Sequence, residues 1–178
     1  MPFEFAFLDW LYQFRNPVMN AISIFFDYAG AHGEIWIAFT LLLLLFRRTR
    51  KAGFAMAVAL VLYMAAGHFF LKPLFARPRP CDVNTAITIL VKRPHGHSFP
   101  SGHTASAFAA AFALWLQNRK LGVPALVLAA FIAFTRLYLY VHFPTDVLGG
   151  LVLGLALGAL ASWLVDSLAN KSKKKQSV

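Results

Sequence analysis

The sequence predicts an all-α, polytopic membrane protein, a bundle of six transmembrane helices with an N-terminal interfacial helix. Apolar residues make up 59% of the 178 residues and fall in long runs. A soluble domain would instead spread them at the period of a half-buried face. Charged or Pro- and Gly-containing segments separate six runs, at residues 17–30, 34–46, 52–71, 101–117, 121–141 and 147–168. The pattern predicts one membrane domain over residues 1–170 and a basic cytoplasmic tail over residues 171–178.

The N-terminal segment and the first two apolar runs fit the pattern of full membrane spans least well. Residues 1–17 combine aromatic side chains with scattered charges, which suits a helix lying in the membrane interface. The first two apolar runs are shorter than the ~20 residues of a full crossing. In the first run, four polar residues share one helical face, which we expect to look into the bundle: Asn16, Asn20, Ser23 and Asp27. We favour a polar seam that other helices satisfy over direct contact with a substrate.

The basic clusters between the later runs predict the orientation. They lie at residues 47–51, at residues 119–120 and from Lys171 onward. With six crossings these clusters share one side, and the positive-inside rule makes it the cytoplasm. The long connection over residues 72–100 and the turn around His142 then face the extracytoplasmic side of the cell membrane.

The net charge and the cysteine content limit which kinds of partner and cross-link the chain can have. The net charge is +10, but the basic residues form short clusters between apolar runs, which indicates membrane orientation and argues against a nucleic-acid partner. The single Cys81 cannot form an intramolecular disulfide. In the last run, small residues recur every four positions and predict close helix packing: Gly150, Gly154, Gly158 and Ser162. The sequence carries no signal for an oligomeric state.

Three segments with polar groups converge on the predicted outer face. They contain "KPLFARPRP", "PSGH" and "TRLYLYVHFPTD", and together supply Lys72, Arg77, Arg79, Ser101, His103, Arg136, His142 and Asp146. Several cations around two histidines and a carboxylate suit a multiply charged anion, and phosphate fits best.

Individual residues support a phosphate site. The start of the fourth run offers free backbone N–H groups, and Gly102 lets an anion approach them closely. Arg136 lies inside the fifth run, where a buried charge costs about 2.5–3.5 kcal/mol unless it finds a partner. A phosphate oxygen would be that partner, and snorkelling to the interface is the alternative.

The two histidines suit divided roles in catalysis. A compact turn would bring Asp146 onto one nitrogen of the His142 imidazole, which leaves the other nitrogen free to attack phosphorus. His103 could protonate the departing oxygen and later take a proton from water, which contributes roughly 10²–10⁴ in rate. Each histidine taken alone would more often be structural, and only the combination favours catalysis.

The combined pattern resembles the signature of the type 2 phosphatidic acid phosphatase family of membrane lipid phosphatases. Its three parts are Lys72 with Arg79-Pro80, the stretch Pro100 to His103, and Arg136 with His142 and Asp146. Thr135 stands where the family usually has serine, and Arg77 is off register.

This resemblance implies a lipid phosphatase that needs no metal or other cofactor. It implies His142 as the nucleophile of a phosphohistidine intermediate, Asp146 as its orienting partner and His103 as acid and base. It implies phosphate ligands at Lys72, Arg79, Ser101, Gly102 and Arg136. A metal site at His95, His97 and His103 is disfavoured because no acidic cluster accompanies them.

Substrate choice rests on analogy alone. Short bacterial members of the family suggest undecaprenyl diphosphate, dephosphorylated to undecaprenyl phosphate. Phosphatidylglycerol phosphate or phosphatidic acid is the alternative, with lipid A 1-phosphate behind them. A proton-coupled transporter is the non-enzyme alternative, but it would carry its polar groups at mid-membrane. A soluble, vanadate-dependent halide-oxidising enzyme shares the signature, but its chain would not be this apolar.

Overall fold

The computed structural model describes residues 2–30 and 33–176, and this part of the chain is helical with no strand. A π-helical segment, Met64–Leu71, joins α4 to α5 without a break. The helices are α1 (Pro2–Tyr12), α2 (Pro17–Ala29), α3 (Glu34–Leu45), α4 (Arg50–Tyr63), α5 (Lys72–Phe75), α6 (Pro80–Val83), α7 (Gly102–Gln117), α8 (Arg119–Tyr138) and α9 (Pro144–Gln176). The predicted all-α class is confirmed.

Among the described residues, three stretches are long and apolar enough to cross a bilayer, with mean hydropathy of 1.8 to 2.1: Arg50–Val83, Arg119–Tyr138 and Pro144–Lys171. Helices α2 and α3 count as a fourth span only if they are taken together, and they are bent by 62° to each other. Helix α7 has 16 residues, fewer than the ~20 of a typical span. A multi-pass membrane protein agrees with these helices, and the count of six crossings stays a prediction.

Helix α7 forms the centre of the bundle and packs closely on α9. Six of its alanines are fully buried: Ala105, Ala107, Ala109, Ala110, Ala111 and Ala113. A methyl group added at Gly150, Gly154 or Gly158 would lie 2.7–2.8 Å from a backbone oxygen of α7 or of Ser101 just before it. The predicted small-residue face of α9 is therefore a packing surface, and it sets how closely the two helices approach.

Helices α1 and α2 pack against α8, and α1 also contacts the turn that follows α8. Leu8 of α1 is fully buried and contacts Tyr140 and Phe143. The predicted N-terminal helix thus exists, and its location in the membrane interface stays a prediction. The polar face of α2 does look inward, because Asn20 accepts a hydrogen bond from Tyr138 and Asp27 pairs with Arg136.

The end of the chain continues the last helix. Helix α9 runs to Gln176, so no backbone break marks residue 171, where the sequence predicted a separate tail. Residues 177 and 178 of that tail lie outside the described residues, and the division of the chain at residue 170 stays a prediction.

Candidate active site

All eight site residues named from the sequence lie at one end of the bundle. Lys72 begins α5, Gly102 begins α7, Arg136 lies in the last turn of α8 and Asp146 lies in the first turn of α9. His103 follows in the first turn of α7, and the segments just before α6, α7 and α9 supply the other three. The full set is Lys72, Arg79, Ser101, Gly102, His103, Arg136, His142 and Asp146. The Ser101 N–H donates to the Asp146 carbonyl oxygen at 3.0 Å, which ties the start of α7 to the start of α9.

His142 is buried and held at both ring nitrogens. Its Nε2 lies 3.1 Å from Nη1 of Arg79, and its Nδ1 lies 3.3 Å from Oγ of Ser98. A guanidinium group can only donate, so Nε2 must be the acceptor and the proton of the neutral ring lies on Nδ1. The lone pair of Nε2 therefore points towards the cation that would hold a phosphate.

The sequence had predicted that Asp146 holds the imidazole of His142 directly, but the structure shows no direct hydrogen bond. Oδ2 of Asp146 is 3.6 Å from Nδ1 of His142, which exceeds the usual length of a hydrogen bond. The buried hydroxyl of Ser98 lies between them and donates to Oδ2 at 2.5 Å. The Phe143 N–H also donates to Oδ2, at 2.8 Å. Ser98 is thus a site residue that sequence reasoning missed, and its place just before "PSGH" was the available signal.

The neutral state of His142 follows from its surroundings. Burial, together with the positive charges of Arg79 and Lys72, lowers the pKa of His142 to about 3, against the opposing effect of Asp146. An unprotonated imidazole at neutral pH is the form that can attack phosphorus.

Backbone carbonyl groups aim the two cations of the first segment. Arg79 is only 4% exposed and donates from Nε to Gly96 O at 3.1 Å and from Nη1 to Val141 O at 3.1 Å. Nζ of Lys72 donates to His97 O at 3.2 Å. Carbonyl oxygens of the loop before α7 therefore help to fix the two cations.

The N-terminus of α7 is shaped for close approach. A methyl group on Gly102 would lie 2.7 Å from the Tyr63 hydroxyl and 3.7 Å from Nζ of Lys72, so a larger residue there would have to displace the Tyr63 side chain. The Ser101 hydroxyl does not cap the helix and instead accepts from Thr104 Oγ1 at 3.0 Å. The first N–H groups of α7 are consequently available to an anion.

His103 lies in the first turn of α7, beside the end of α2. A methyl group on Gly30 would lie 3.3 Å from Cδ2 of the ring. Its Nε2 is buried and makes no hydrogen bond to the described residues. The positive charges of Arg136 and Lys72 act on the ring, which places it among the cations as the sequence predicted.

Arg136 has a protein partner that the sequence had not assigned. It is fully buried, and its Nη1 lies 2.5 Å from Oδ1 of Asp27 in α2. Its Nε and Nη2 donate to the Thr135 hydroxyl at 3.2 and 2.8 Å. The threonine that departs from the family pattern therefore keeps the hydroxyl contact. Because Arg136 is fully buried, the alternative that it snorkels to the interface is excluded.

Arg77 links the N-terminal helix to Asp146. Its Nη1 lies 2.6 Å from Oδ1 of Asp146, and its Nη2 lies 2.7 Å from Oε2 of the buried Glu4. The guanidinium also stacks 4.3 Å above the Phe143 ring. Sequence reasoning had left Arg77 off register and gave no sign of Glu4, because 73 positions separate the two.

The site is rich in cations and has few metal ligands. Within residues 2–30 and 33–176, no group of three or more His, Cys, Asp or Glu side chains could hold a metal ion. The donor set suits an oxyanion, since arginine, lysine and helix N–H groups bind phosphate.

Comparison with known proteins agrees with this arrangement. The sequence model of the PAP2 superfamily matches residues 48–169. The chain is 31% identical to an undecaprenyl-diphosphatase of Sulfolobus acidocaldarius, over 76% of this chain and 66% of that protein. It is 32% identical to undecaprenyl-diphosphatase BcrC of Bacillus subtilis, over 82% of this chain and 75% of that protein.

A solved structure is also similar. The crystal structure of a transmembrane PAP2 type phosphatidylglycerolphosphate phosphatase from Bacillus subtilis superposes with a TM-score of 0.69 and 25% identity, covering 93% of this chain and 84% of that one. The matched range of residues 48–169 contains all eight predicted site residues, whereas Glu4 and Asp27 lie before it.

Proposed function

The chain belongs to the PAP2 superfamily and is a lipid phosphate hydrolase of the membrane, and we propose that it cleaves undecaprenyl diphosphate to undecaprenyl phosphate and phosphate. Two relatives named as undecaprenyl-diphosphatases support this substrate. A prenyl diphosphate would keep its tail in the bilayer while its headgroup reaches the end of the bundle where the site lies. The reaction runs through a phosphohistidine on His142.

The observation that carries this mechanism is the fixed tautomer of His142. Nε2 has its lone pair free of a proton and lies beside Arg79, while the proton on Nδ1 faces Ser98 and Asp146. When a phosphate oxygen takes the N–H of Arg79, Nε2 is released and stands next to phosphorus. Asp146 then stabilises the positive charge that develops on the ring as the N–P bond forms.

Lys72, Arg79, Arg136 and the first N–H groups of α7 hold the terminal phosphate. They neutralise the negative charge that builds up on its oxygens in the transition state, which is where enzymes gain most of their rate in phosphoryl transfer. Gly102 and Ser101 keep the backbone close to that phosphate.

His103 transfers one proton in each of the two steps. In the first step it donates a proton to the bridging oxygen as the P–O bond breaks, and undecaprenyl phosphate leaves. In the second step it takes a proton from water as the water oxygen attacks phosphorus, the N–P bond breaks and His142 is regenerated.

Phosphatidylglycerol phosphate is the second candidate substrate, favoured by the similarity to the Bacillus subtilis phosphatidylglycerolphosphate phosphatase. Phosphatidic acid and lipid A 1-phosphate carry the same phosphate group and would use the same residues. The substrates therefore differ in how the lipid beyond the phosphate is accommodated, and a direct comparison of rates distinguishes them.

Phosphate release by the purified protein tests the proposal. We expect release from undecaprenyl diphosphate in the presence of EDTA, slower release from phosphatidylglycerol phosphate and phosphatidic acid, and none from the His142→Ala protein. Rapid acid quenching during turnover should trap phosphate on the wild-type chain in an acid-labile linkage, as a phosphohistidine requires. Normal turnover by His142→Ala or by His103→Ala would overturn the mechanism, and loss of activity in EDTA would contradict metal independence.

A further inference from the structure

Asp27 forms an ion pair with Arg136, one of the cations that the proposed function needs to bind phosphate. Arg136 is fully buried, whereas the side chain of Asp27 is 17% exposed. Three of the guanidinium nitrogens are already engaged, two by Thr135 and one by Asp27 at 2.5 Å. A buried arginine without a counter-charge would be strongly destabilising, so Asp27 stabilises the site when no phosphate is bound.

Asp27 lies at the site itself. It is in the last turn of α2, and three residues later Gly30 approaches the ring of His103. The carboxylate therefore contacts the cation that would bind phosphate, and the end of α2 that bears it adjoins the proton donor. The sequence had placed Asp27 on a seam satisfied by other helices, and this contact is indeed interhelical, but its partner belongs to the candidate site.

A carboxylate and a phosphate compete for the same guanidinium. Both are oxyanions that accept hydrogen bonds from the planar fork of arginine. A phosphate dianion drawn in by Lys72 and Arg79 would also repel the carboxylate across a few ångströms of poorly screened interior. The two anions cannot both hold Arg136 tightly.

We propose that Asp27 is an internal competitor for the phosphate site, which pairs with Arg136 in the free enzyme, yields it to a bound phosphate group and returns to it as the product phosphate leaves. This inference rests on the proposed function. Three cations and a helix N-terminus would otherwise hold inorganic phosphate firmly after hydrolysis. The return of Asp27 limits that affinity and favours release of the product.

Phosphate binding by the Asp27→Asn protein tests the proposal. The dissociation constant of inorganic phosphate is measured by titration calorimetry on the full chain in detergent, alongside its inhibition constant and the KM for undecaprenyl diphosphate. We expect phosphate to bind about tenfold more tightly to Asp27→Asn, the factor that applies if the pair is formed in about 90% of the free enzyme. The inhibition constant and KM should fall in parallel, with no rise in kcat.

Asp166→Asn is the matched control, because Asp166 pairs with Lys51, and the side chains of both are about half exposed. This control should bind phosphate as the wild type does. A merely structural role for Asp27 would weaken phosphate binding, so unchanged or weaker binding by a folded Asp27→Asn protein would overturn the proposal. Calorimetry needs no turnover. If the wild-type protein binds phosphate but hydrolyses none of the lipids, the proposed function is refuted, and the comparison of phosphate binding between the variants stays valid.

Infrared difference spectroscopy keeps the proposal testable if Asp27→Asn does not fold. Adding phosphate to the wild type should change the carboxylate stretching band of an aspartate, and in Asp27→Glu the change should move to the frequency of a glutamate. Asp27→Glu retains the charge that Arg136 needs. No carboxylate change in the wild type, or one that stays at the aspartate frequency in Asp27→Glu, would contradict displacement.

Discussion

The hydroxyl of Ser98 lies between the carboxylate of Asp146 and the ring of His142. This hydroxyl donates to the carboxylate at 2.5 Å and lies 3.3 Å from Nδ1 of the ring. The Ser98 N–H donates to Arg77 O at 2.8 Å, which fixes the loop before α7. The hydroxyl and the N–H of Ser98 thus connect the carboxylate of Asp146, the proposed nucleophile and the backbone at Arg77.

Replacing Ser98 with alanine should lower kcat by roughly 10- to 100-fold, since a hydrogen bond to a charged group contributes about 1.5–3 kcal/mol. The imidazole would lose its bridge to Asp146 and rotate more freely. Phosphate release at saturating lipid measures the effect. Ser106→Ala is the control, because the Ser106 hydroxyl donates only to carbonyl oxygens of its own helix. Equal kcat for Ser98→Ala and Ser106→Ala would show that Asp146 does not act through Ser98.

The lowered pKa of His142 predicts how stability depends on pH. The folded value is about 3, whereas an unfolded histidine titrates near ~6.5. As the pH falls below that unfolded value, the unfolded chain gains a proton that the folded chain does not, so the free energy of unfolding decreases. Between pH 7 and pH 5 the share due to His142 is about 2 kcal/mol.

Unfolding of the purified protein at pH 7 and pH 5 measures this effect. The wild type should lose more stability on acidification than His142→Gln, which has no imidazole to titrate. Equal losses in the two proteins would mean that His142 is not held neutral by burial.

At the scale of elements, α1 supports the turn that presents His142. Tyr140 in that turn has a left-handed backbone with φ of 64°, which is unusual for a residue other than glycine. Its hydroxyl donates to Asp9 of α1 at 2.7 Å and accepts from Asn84 at 3.3 Å. Glu4 of the same helix neutralises Arg77, which in turn holds Asp146. The N-terminal helix therefore bears on the site without contacting the reacting atoms.

Glu4→Gln should lower kcat about tenfold and change KM little, because Arg77 would then lose its second carboxylate and shift Asp146 from its place beside the ring. Steady-state kinetics on the lipid substrate separate the two constants. Asp82→Asn removes an ion pair with Arg93 at 3.3 Å in which both side chains are about half exposed, and it should leave both constants unchanged. A rise in KM alone would indicate that α1 acts on substrate binding.

The interface between α7 and α9 explains why the site has one geometry. Glycines of α9 lie against backbone oxygens of α7, so the helix that begins near Ser101 and the helix that bears Asp146 are held at a fixed separation. The sequence predicted this contact from the spacing of small residues. It could not predict which helix would be the partner, because several long apolar runs present suitable surfaces.

For the whole molecule, the sequence predicted the helical class and gathered eight site residues at one end of the bundle. Local spacing sufficed there, because the three motif segments each follow or precede a long apolar run. Sequence reasoning missed Ser98, Glu4 and the partner of Arg136, because the contacts of these residues join distant parts of the chain. The link between Asp27 and Arg136 spans 109 positions, and no periodicity reports such a pairing. The number of crossings is equally hard to read where α2 and α3 are short.

Sidedness is tested by cysteine labelling in intact cells. If the site faces outward, Lys92→Cys should react with an impermeant thiol reagent and Arg119→Cys should not. Both positions are exposed in the fold, and the native Cys81 is buried, so the label reports the introduced cysteine. Reaction at position 119 but not at position 92 would place the site in the cytoplasm.

The carboxylates Glu4, Asp9 and Asp27 all precede residues 48–169, the range that matches the superfamily. The residues proposed for the chemistry and the carboxylates proposed to modulate it thus lie in different stretches of the chain. Chimeras that exchange the first 47 residues between relatives should keep the reaction and alter how strongly its product inhibits it.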